Sequence, residues 1–370
     1  MRGATILHLG VKELRSLLRD PMMIFLIIYI FSFGIYTMAK SVPDTLHKAP
    51  IAIVDEDRSQ LSARIAGAFF PPLFMPPALI TQKDMDARMD AGIDTFALVI
   101  PPDFQRDVLA GRSPTIQLNV DATRMSQAFA GSGYVQTIVG SEVNAFLQGY
   151  QSKTDSPVDL ALRVRFNSEL NKSWFSAVME LINNITILSI VLTGAALIRE
   201  REHGTVEHLL VMPVTPVEIM LGKVWSMGLV VLAASAFALR FVVEGWLDIP
   251  LQGSKLLFTG GAALHLFAVT SMGIFFATVA RSMPQLGLLT ILTLMPLQIL
   301  SGGTTPRESM PELVQNVMLV APTTHFVELA QAILFRGADL NIVWPQLLAL
   351  AAIGTTFFVG ALSRLRKSLN

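Results

Sequence analysis

The sequence predicts an α-helical membrane protein, and three observations support this fold class. Of its 370 residues, 52% are hydrophobic and 15% are charged, whereas soluble domains carry about 45–50% and about 25%. Six apolar stretches approach the length of about 20 residues that a helix needs to cross a hydrocarbon core about 30 Å thick. None of them alternates polar with apolar residues, as the strands of a membrane barrel would. We therefore predict six transmembrane helices.

The first twenty residues predict an amphipathic helix before the first span. Four apolar residues recur at helical spacing on one face, opposite basic residues: Leu7, Val11, Leu14 and Leu18. A helix of this pattern lies along the membrane interface with its apolar face in lipid. We expect an elbow helix at 1–20 that leads into the first span at 21–40. A cleaved signal peptide is the alternative, although the apolar run exceeds the usual length of about 7–15 residues.

Basic residues near the ends of the apolar stretches predict the orientation. The six expected spans are 22–39, 174–198, 219–243, 256–280, 286–301 and 344–362. The fifth is so short that neighbouring helices must help it to cross. The flanking Lys and Arg residues fall on one side, which the distribution of basic residues identifies as cytoplasmic. We therefore predict a multi-pass protein with both termini in the cytoplasm.

The long segment 41–172 predicts a large periplasmic α/β domain between the first and second spans. Strand patterns occur at 51–55, 96–100 and 115–121, and helical patterns occur at 59–69, 103–110 and 125–150. About 130 residues suffice for an independent hydrophobic core. Five further spans are expected within 173–370.

The composition and the acidic motifs do not indicate an enzyme. Lys and Arg together number 28, as do Asp and Glu, so the net charge does not favour nucleic acid as a partner. Cysteine is absent, which excludes thiol nucleophiles and cysteine-ligated metals. The consecutive carboxylates of Asp55, Glu56 and Asp57 point in different directions and indicate a turn rather than a metal site. We predict no catalytic residue, metal or cofactor in this chain.

The chain also lacks the pattern of a nucleotide-binding loop. Its Gly222-Lys223 pair has Val217 where the first glycine of such a loop would stand. Glycines in that loop let the backbone approach phosphate, and the lysine supplies charge. Energy from ATP would therefore have to come from a separate subunit.

The charged segment 199–213, between two membrane-length runs, is the candidate contact for a cytosolic partner. Val206, Leu209 and Leu210 share one face of a short helix in this segment. Such a helix can enter a groove on another protein. The alternative interpretation is a solvated hairpin whose leucines bind nothing.

Two apolar pieces after the fifth span are too short to cross the bilayer. They cover 312–320 and 325–335 and are separated by Ala321-Pro322. Half-length pieces of this kind fit re-entrant helices. We expect such a pair at 304–336 on the outer side.

Polar residues inside the predicted spans are candidates for a transport pathway or a dimer interface. They are Glu180, Asn183, Asn184, His265 and Gln298. A carboxylate or amide in hydrocarbon needs a polar partner, so these side chains should not face lipid. Hydrogen bonds that merely join helices explain His265 and Gln298 about as well.

Several segments together resemble bacterial type-2 ABC transporter permeases, and the resemblance covers the whole chain. They are the loop 199–213, the outer insertion after the first span, Gly302-Gly303-Thr304-Thr305-Pro306, and Pro322-Thr323-Thr324-His325-Phe326. The strings VDATRMSQA at 120–128 and RSMPQLG at 281–287 are similar to inner-membrane members of the family. The resemblance implies the permease of an ATP-driven exporter in the bacterial inner membrane. It does not identify the cargo.

The resemblance also implies roles and partners. A cytosolic coupling helix within 199–218 would dock in a groove of an ABC ATPase subunit, which would bind the ATP and Mg. The matching residues are Glu200, Glu202, Gly204, Thr205, Val206, Glu207, Leu209 and Leu210. This chain has Met212 where many members carry Ser or Thr before the loop proline. A second permease copy or a paralogue is implied as well, and the size of the outer domain favours docking of a periplasmic membrane-fusion adaptor.

Two other functional classes stay open on the sequence. A secondary active transporter would be expected to show matching repeats with broken helices, whereas this chain has one large insertion after a single span. An intramembrane enzyme would need a nucleophile or a set of metal ligands at depth, and His265 alone is insufficient.

Overall fold

The computed structural model describes residues 3–41, 46, 48–121, 123, 125–150, 172–202, 214–280, 282–303 and 307–369. The chain forms two compact units. The membrane unit comprises Met1–Val42 and Val164–Asn370, and the α/β unit comprises Pro43–Arg163. The α/β unit lies within the segment 41–172, for which the sequence predicts a separate domain.

The helices and strands follow one another in this order. They are α1 (Gly3–Leu18), α2 (Pro21–Ser41), β1 (Ile51–Asp55), α3 (Gln60–Gly67), β2 (Ala78–Leu79), α4 (Gln82–Asp90), β3 (Phe96–Ile100), α5 (Phe104–Leu109), β4 (Gln117–Val120), α6 (Met125–Tyr150), α7 (Lys172–Glu202), α8 (Pro216–Trp246), α9 (Lys255–Val279), α10 (Met283–Ile299), α11 (Glu312–Met318), α12 (Pro322–Leu334) and α13 (Leu340–Leu369). A short 3₁₀ turn, Arg307–Ser309, precedes α11.

Five helices among the described residues are long and apolar enough to cross a membrane: α2, α7, α8, α9 and α13. Helix α10, the fifth of the six predicted spans, is apolar but has only 17 residues. At 1.5 Å per residue it is about 26 Å long, slightly less than a hydrocarbon core of about 30 Å. The prediction of an α-helical membrane protein is confirmed, with five to six candidate spans.

Helices α11 and α12 occupy the segment that the sequence assigns to re-entrant helices. They meet at an angle of 89°, as in a broken span or a re-entrant loop. Pro322 stands in the first turn of α12, where its missing N–H removes no helical hydrogen bond. The neighbouring 304–306, part of the same prediction, lies outside the described residues.

Local sequence explains where the spans begin and where they deviate from α-helix. Asp20 caps α2, and Thr215 with Glu218 forms a capping box at the start of α8; both helices have Pro in their first turn. Helices α2 and α8 each contain a π-helical stretch, at Ile30–Gly34 and Ala238–Trp246. Such a stretch shifts the hydrogen-bond ladder and leaves a carbonyl that needs another donor.

Helix α7 lies at the centre of the membrane unit. In its most apolar stretch of 18 residues, 83% of the residues are buried, against 17% in the corresponding stretches of α2 and α13. Gly273 of α9 allows close packing, since a Cβ there would lie 2.8 Å from the carbonyl oxygen of Ile190 in α7. The exposed apolar side chains of α2 and α13 are those that lipid or another membrane helix would cover.

Helix α1 packs on α8 through glycine. A Cβ on Gly10 would lie 2.1 Å from the Trp225 ring, and the Trp225 indole N–H donates to the carbonyl of Ile6 at 3.1 Å. The buried residues of α1 are Gly10, Glu13 and Leu17. By contrast, Leu7 and Leu18 of the predicted apolar face are 57% and 69% exposed. Val11 and Leu14 of the same face are half-buried, so the face is only partly exposed, and its placement at a membrane interface stays a prediction.

The α/β unit contains a four-stranded sheet in the order β2-β1-β3-β4. Strand β1 pairs in parallel with β2 and β3, and β3 pairs antiparallel with β4, so that Leu98 faces Leu118. Because side chains alternate along a strand, Ile51 and Ile53 pack with α3, α5 and α6, while Ala52 packs against α4 on the other face. The predicted strands 51–55 and 96–100 coincide with β1 and β3.

The acidic turn after β1 is used for local structure. Asp55 accepts hydrogen bonds from the backbone N–H groups of Asp57 and Arg58, and from the Ser62 hydroxyl. Asp57 accepts from the backbone N–H of Gln105 at 3.1 Å. These two carboxylates hold the turn and the start of α5, as the interpretation of a turn expects.

Candidate functional site

The segment 203–213 lies between the end of α7 and the start of α8. Most residues of the predicted coupling helix fall in it: Gly204, Thr205, Val206, Glu207, Leu209 and Leu210. They lie outside the described residues, and their contact with a partner stays a prediction. The two helix ends that flank this segment are described, however, and they hold a group of buried charges.

Glu200, near the end of α7, contacts two lysines of other helices. Its carboxylate lies 2.6 Å from the ammonium of Lys12 in α1 and 2.8 Å from that of Lys223 in α8. The residue is 9% exposed. The structure therefore gives Glu200, which the resemblance places in the contact with an ATPase, two partners within its own chain.

Lys223 is the most deeply buried of these charges. Its side chain is 2% exposed, and its ammonium lies 2.8 Å from Glu13 as well as from Glu200. It also donates to the carbonyl oxygen of Ala196 at 3.4 Å. An ammonium has three N–H donors, and two carboxylates and one carbonyl oxygen surround this one.

Together, Lys12, Glu13, Glu200 and Lys223 form what we call the ion cluster. Two positive and two negative charges offset one another, which a buried charge requires. Burial lowers the pKa of Lys12, but the hydrogen bond and the charge of Glu200, with a smaller effect of Glu13, raise it more, so the pKa lies above its ordinary value. The ion cluster joins α1 to both helices that flank 203–213.

Further polar contacts fix the end of α7. Arg199 pairs with Asp20, the cap of α2, at 3.4 Å. Arg201 donates to the carbonyl of Ala280 at 3.1 Å, and Glu202 accepts from the backbone N–H of Met283 at the start of α10. The end of α7 is therefore tied to α1, α2, α8, α10 and the end of α9. The predicted role of Glu202 in contacting a partner stays a prediction, and here its carboxylate serves α10.

Asn184 joins the first span to α7. Its amide donates to the carbonyl of Ile30 at 3.2 Å, at the start of the π-helical stretch in α2. Its side chain is also hydrogen-bonded to Glu180, one turn earlier. Asn184 is buried, while Asn183 and Glu180 are half-buried. The structure thus gives Asn184 a structural partner, and the proposed pathway or dimer role of all three stays a prediction.

His265 is fully buried where α7, α9 and α12 meet. Its Nε2 lies 2.9 Å from the hydroxyl of Thr186, and its ring stacks on Phe326 with centroids 4.1 Å apart. The Thr186 hydroxyl also lies 3.0 Å from the carbonyl oxygen of Ile182, one turn earlier in α7. His265 thus packs between three helices, and its proposed role in a pathway or dimer interface stays a prediction.

Gln298 of α10 borders an apolar groove of about 450 Å³ between α2, α7 and α10. Ile187 and Leu294 supply apolar walls. Within the described part of the chain, the Gln298 amide nitrogen and the Thr290 hydroxyl have no hydrogen-bond partner. Buried polar atoms usually have one. This groove leaves room for a polar ligand or a second chain at the depth of the spans.

Sequence reasoning did not identify Glu13 or the pairing of Lys223. A pattern was present: Lys223 stands eight residues into an apolar helix, and a charge at that position needs a partner. The sequence does not show which residue pairs with Lys223, because Glu13 lies 210 positions away along the chain. No group of three or more His, Asp or Glu side chains in the described ranges is placed to hold a metal ion.

Comparison with known proteins gives similarity over nearly the whole chain. Residues 22–363 match the model of the ABC-2 family transporter proteins. The inner membrane transport permease YhhJ of Escherichia coli K12 is 61% identical over 364 residues, which cover 98% of this chain and 97% of YhhJ. Two probable multidrug ABC transporter permeases of the same strain are more distant. YbhR is 28% identical over 97% of each chain, and YbhS is 24% identical over 94% of this chain and 93% of its own.

Proposed function

The chain belongs to the ABC-2 family of transporter proteins, and on this premise we propose that it is the permease subunit of an ATP-driven exporter. The resemblance to type-2 ABC transporter permeases is confirmed, and with it a multi-pass transport permease of the inner membrane. Members of this family are transport components rather than enzymes, and the family implies an ABC ATPase partner. ATP-driven export and the coupling mechanism are our proposal.

The ion cluster is the observation that carries this proposal. It ties both helices flanking 203–213 to α1 through contacts of 2.6–2.8 Å, and those made by Lys223 are buried. A displacement of that segment by a cytosolic ATPase would move α7 and α8 together with α1, because breaking one buried ion contact leaves an uncompensated charge. Arg199 and Glu202 extend the same linkage to α2 and α10. Force applied at one loop would therefore reach most of the spans.

The groove beside Gln298 is our candidate for the pathway or for the contact with a second permease. It opens between α2 and α10, whose exposed side chains are apolar, and two polar atoms face it without a partner among the described residues. Export of drugs would suit such an apolar groove, and the curated names of YbhR and YbhS mention multidrug transport. We extend that comparison to this chain, and drugs as its substrates are part of the proposal.

The remaining parts of the proposal concern orientation in the membrane and partner proteins. We place both termini and 203–213 in the cytoplasm, the α/β unit in the periplasm, and a membrane-fusion adaptor on the α/β unit. Purification from cross-linked native membranes should retain an ATPase, a second permease copy or paralogue, and an adaptor. If the purified complex lacks a second permease, that partner is removed from the proposal. The same holds for the adaptor. No feature of the described residues specifically supports the two alternative functions, a secondary transporter and an intramembrane enzyme.

The direct test replaces Leu209 and Leu210 by Asp. We expect the double variant to insert normally and to lose co-purification of the ATPase, because two carboxylates would enter an apolar contact. Leu209→Met with Leu210→Met is the matched control, since it keeps the apolar face, and it should retain the ATPase. An unchanged yield of ATPase with the Asp variant would contradict the coupling role. Labelling of a Thr205→Cys thiol from outside intact cells would overturn the orientation.

A further inference from the structure

A polar cavity of about 410 Å³ lies at the opposite end of the membrane unit from the ion cluster. One wall is a face of α12, formed by Thr324, Glu328 and Gln331 at intervals of three and four residues. Phe175 near the start of α7 and Gly302 after α10 border the opening. Gly302 has φ of +90°, a conformation that other residues rarely adopt, so this turn depends on glycine.

Four charged side chains line this cavity, and their charges balance. They are Arg307, Glu308, Glu328 and Arg336. In the described part of the chain, none of the four forms an ion pair, although each has opposite charges across the same cavity. This differs from the ion cluster, where opposite charges are in contact. Two cations and two anions that stay apart leave room for a ligand that carries both signs.

Two buried polar atoms at this cavity also lack a partner. Thr324 is 1% exposed, and its hydroxyl has no hydrogen-bond partner among the described residues. The same is true of Nε of Arg307, whose guanidinium otherwise reaches only the carbonyl of Gln315 at 3.4 Å. Buried groups of this kind are nearly always hydrogen-bonded. Both are donors, and they point to an acceptor oxygen in the cavity.

The depth of the cavity matches a lipid headgroup. Phe175 and Glu200 are 25 positions apart on one continuous helix, a distance of about 38 Å. The hydrocarbon core is about 30 Å thick, and about 40–45 Å with the headgroup layers. With the ion cluster at one interface, the cavity therefore lies at the headgroup level of the opposite leaflet.

We propose that this cavity binds the zwitterionic headgroup of a phospholipid that carries a phosphate and a primary ammonium. Arg307 and Thr324 donate to the phosphate oxygens, and Glu328 accepts from the ammonium. Guanidinium and carboxylate are the groups that form charge-assisted hydrogen bonds with such a headgroup. The cavity volume lies within the range of small-molecule sites, about 300–1,000 Å³. This inference does not depend on coupling to ATP.

The test is native mass spectrometry of the purified full-length chain, titrated with phosphatidylethanolamine or phosphatidylglycerol of the same acyl chains. We expect the ethanolamine lipid to bind about tenfold more tightly, because the glycerol headgroup lacks the ammonium. Arg307→Gln should abolish this preference, and Thr324→Val should weaken it. Thr324→Ser keeps the hydroxyl and should restore the preference. Arg240→Gln is the matched control, since Arg240 is an exposed arginine near the end of α8 that does not line the cavity.

Three results would overturn the inference. Equal binding of the two lipids would remove the ammonium site. An unchanged preference in Arg307→Gln would place the lipid elsewhere on the protein. Competition by soluble phosphoethanolamine at concentrations equal to those of the lipid would assign the cavity to a free zwitterion instead of a lipid. Loss of ATPase binding would affect none of these measurements, so failure of the proposed function is distinguishable.

Discussion

Charged residues lie beside both ends of α7, under opposite conditions. At the end near 203–213, Glu200 contacts Lys12 at 2.6 Å and Lys223 at 2.8 Å; Glu200 and Lys223 are buried, and Lys12 is half exposed. At the other end, Arg307 and Glu328 line a cavity without an ion pair in the described part of the chain. Contacting charges hold helices together, whereas separated charges around a cavity can receive a ligand. One end is therefore built for rigid linkage, and the other for binding.

The largest expected effect comes from removing the centre of the ion cluster. Lys223→Met leaves Glu13 and Glu200 with less compensation in a buried site, and we expect a loss of about 3–5 kcal/mol in the free energy of unfolding. Titration with SDS in mixed micelles measures this loss. The triple variant Lys223→Met, Glu13→Gln, Glu200→Gln should recover part of it, because the uncompensated charges are gone.

Lys255→Met is the matched control for Lys223→Met. Lys255 contacts Glu244 at 2.6 Å, but its side chain is 49% exposed. Exposed pairs contribute about 0–1 kcal/mol, so this variant should lose no more than that. Equal losses in the two lysine variants would show that burial does not distinguish the ion cluster.

A smaller effect is expected from Lys12, and it should depend on pH. The pKa of Lys12 is raised above its ordinary value of 10.5, because the interaction with Glu200 outweighs the burial that lowers it. The charged form is thus favoured by folding, and its stabilisation is complete below pH 10.5 and lost as pH rises through the folded pKa. The groups that face this ammonium are Glu13 and Glu200.

The measurement compares melting temperatures of the wild type and Lys12→Gln from pH 8 to pH 12. Their difference should be constant up to about pH 10.5 and then shrink. Lys12→Arg serves as the control. Arginine stays charged over this range, so the difference in melting temperature between Lys12→Arg and Lys12→Gln should persist to pH 12. A difference between wild type and Lys12→Gln that persists unchanged to pH 12 would mean that Lys12 acts by packing rather than by charge.

The smallest effect is expected at the cavity. Arg307→Gln should change the free energy of unfolding by less than about 0.5 kcal/mol without added lipid, because Arg307 has no ion pair with any residue that the structure describes. Arg199→Gln, which breaks the contact with Asp20, should cost up to about 1 kcal/mol under the same SDS titration. A larger loss for Arg307→Gln than for Arg199→Gln would contradict the distinction between the two ends.

Much of the fold followed from local patterns. The apolar runs predicted the spans, and alternation predicted β1 and β3, because burial in lipid or in a sheet constrains consecutive residues directly. The pattern also predicted an amphipathic α1, but not which face packs on protein. Leucines at positions 7 and 18 stay exposed, while Gly10 is buried against Trp225. Helical periodicity identifies an apolar face without saying whether lipid or protein covers it.

The candidate site was predictable only in part. The resemblance identified the segment 199–213 and Glu200, and the implied contact with a partner subunit stays a prediction. The structure adds the contacts of Glu200 with Lys12 and Lys223. Asn184 and His265 were identified by a rule that holds locally: polar groups in hydrocarbon need partners. Their partners, the carbonyl of Ile30 at the start of the π-helical stretch of α2 and the hydroxyl of Thr186, depend on which helices lie side by side.

The sequence by itself determined that this is a helical membrane protein with an inserted α/β unit, because hydrophobic length and periodicity are properties of neighbouring residues. Only the tertiary structure decided which charges meet. Glu13 and Lys223 are 210 positions apart, and Lys12 and Glu200 are 188 apart. Their contact requires that α1 pack closely on α8 through Gly10 and Gly222. Electrostatic pairing acts over a few ångströms, and separation along the chain does not encode such distances.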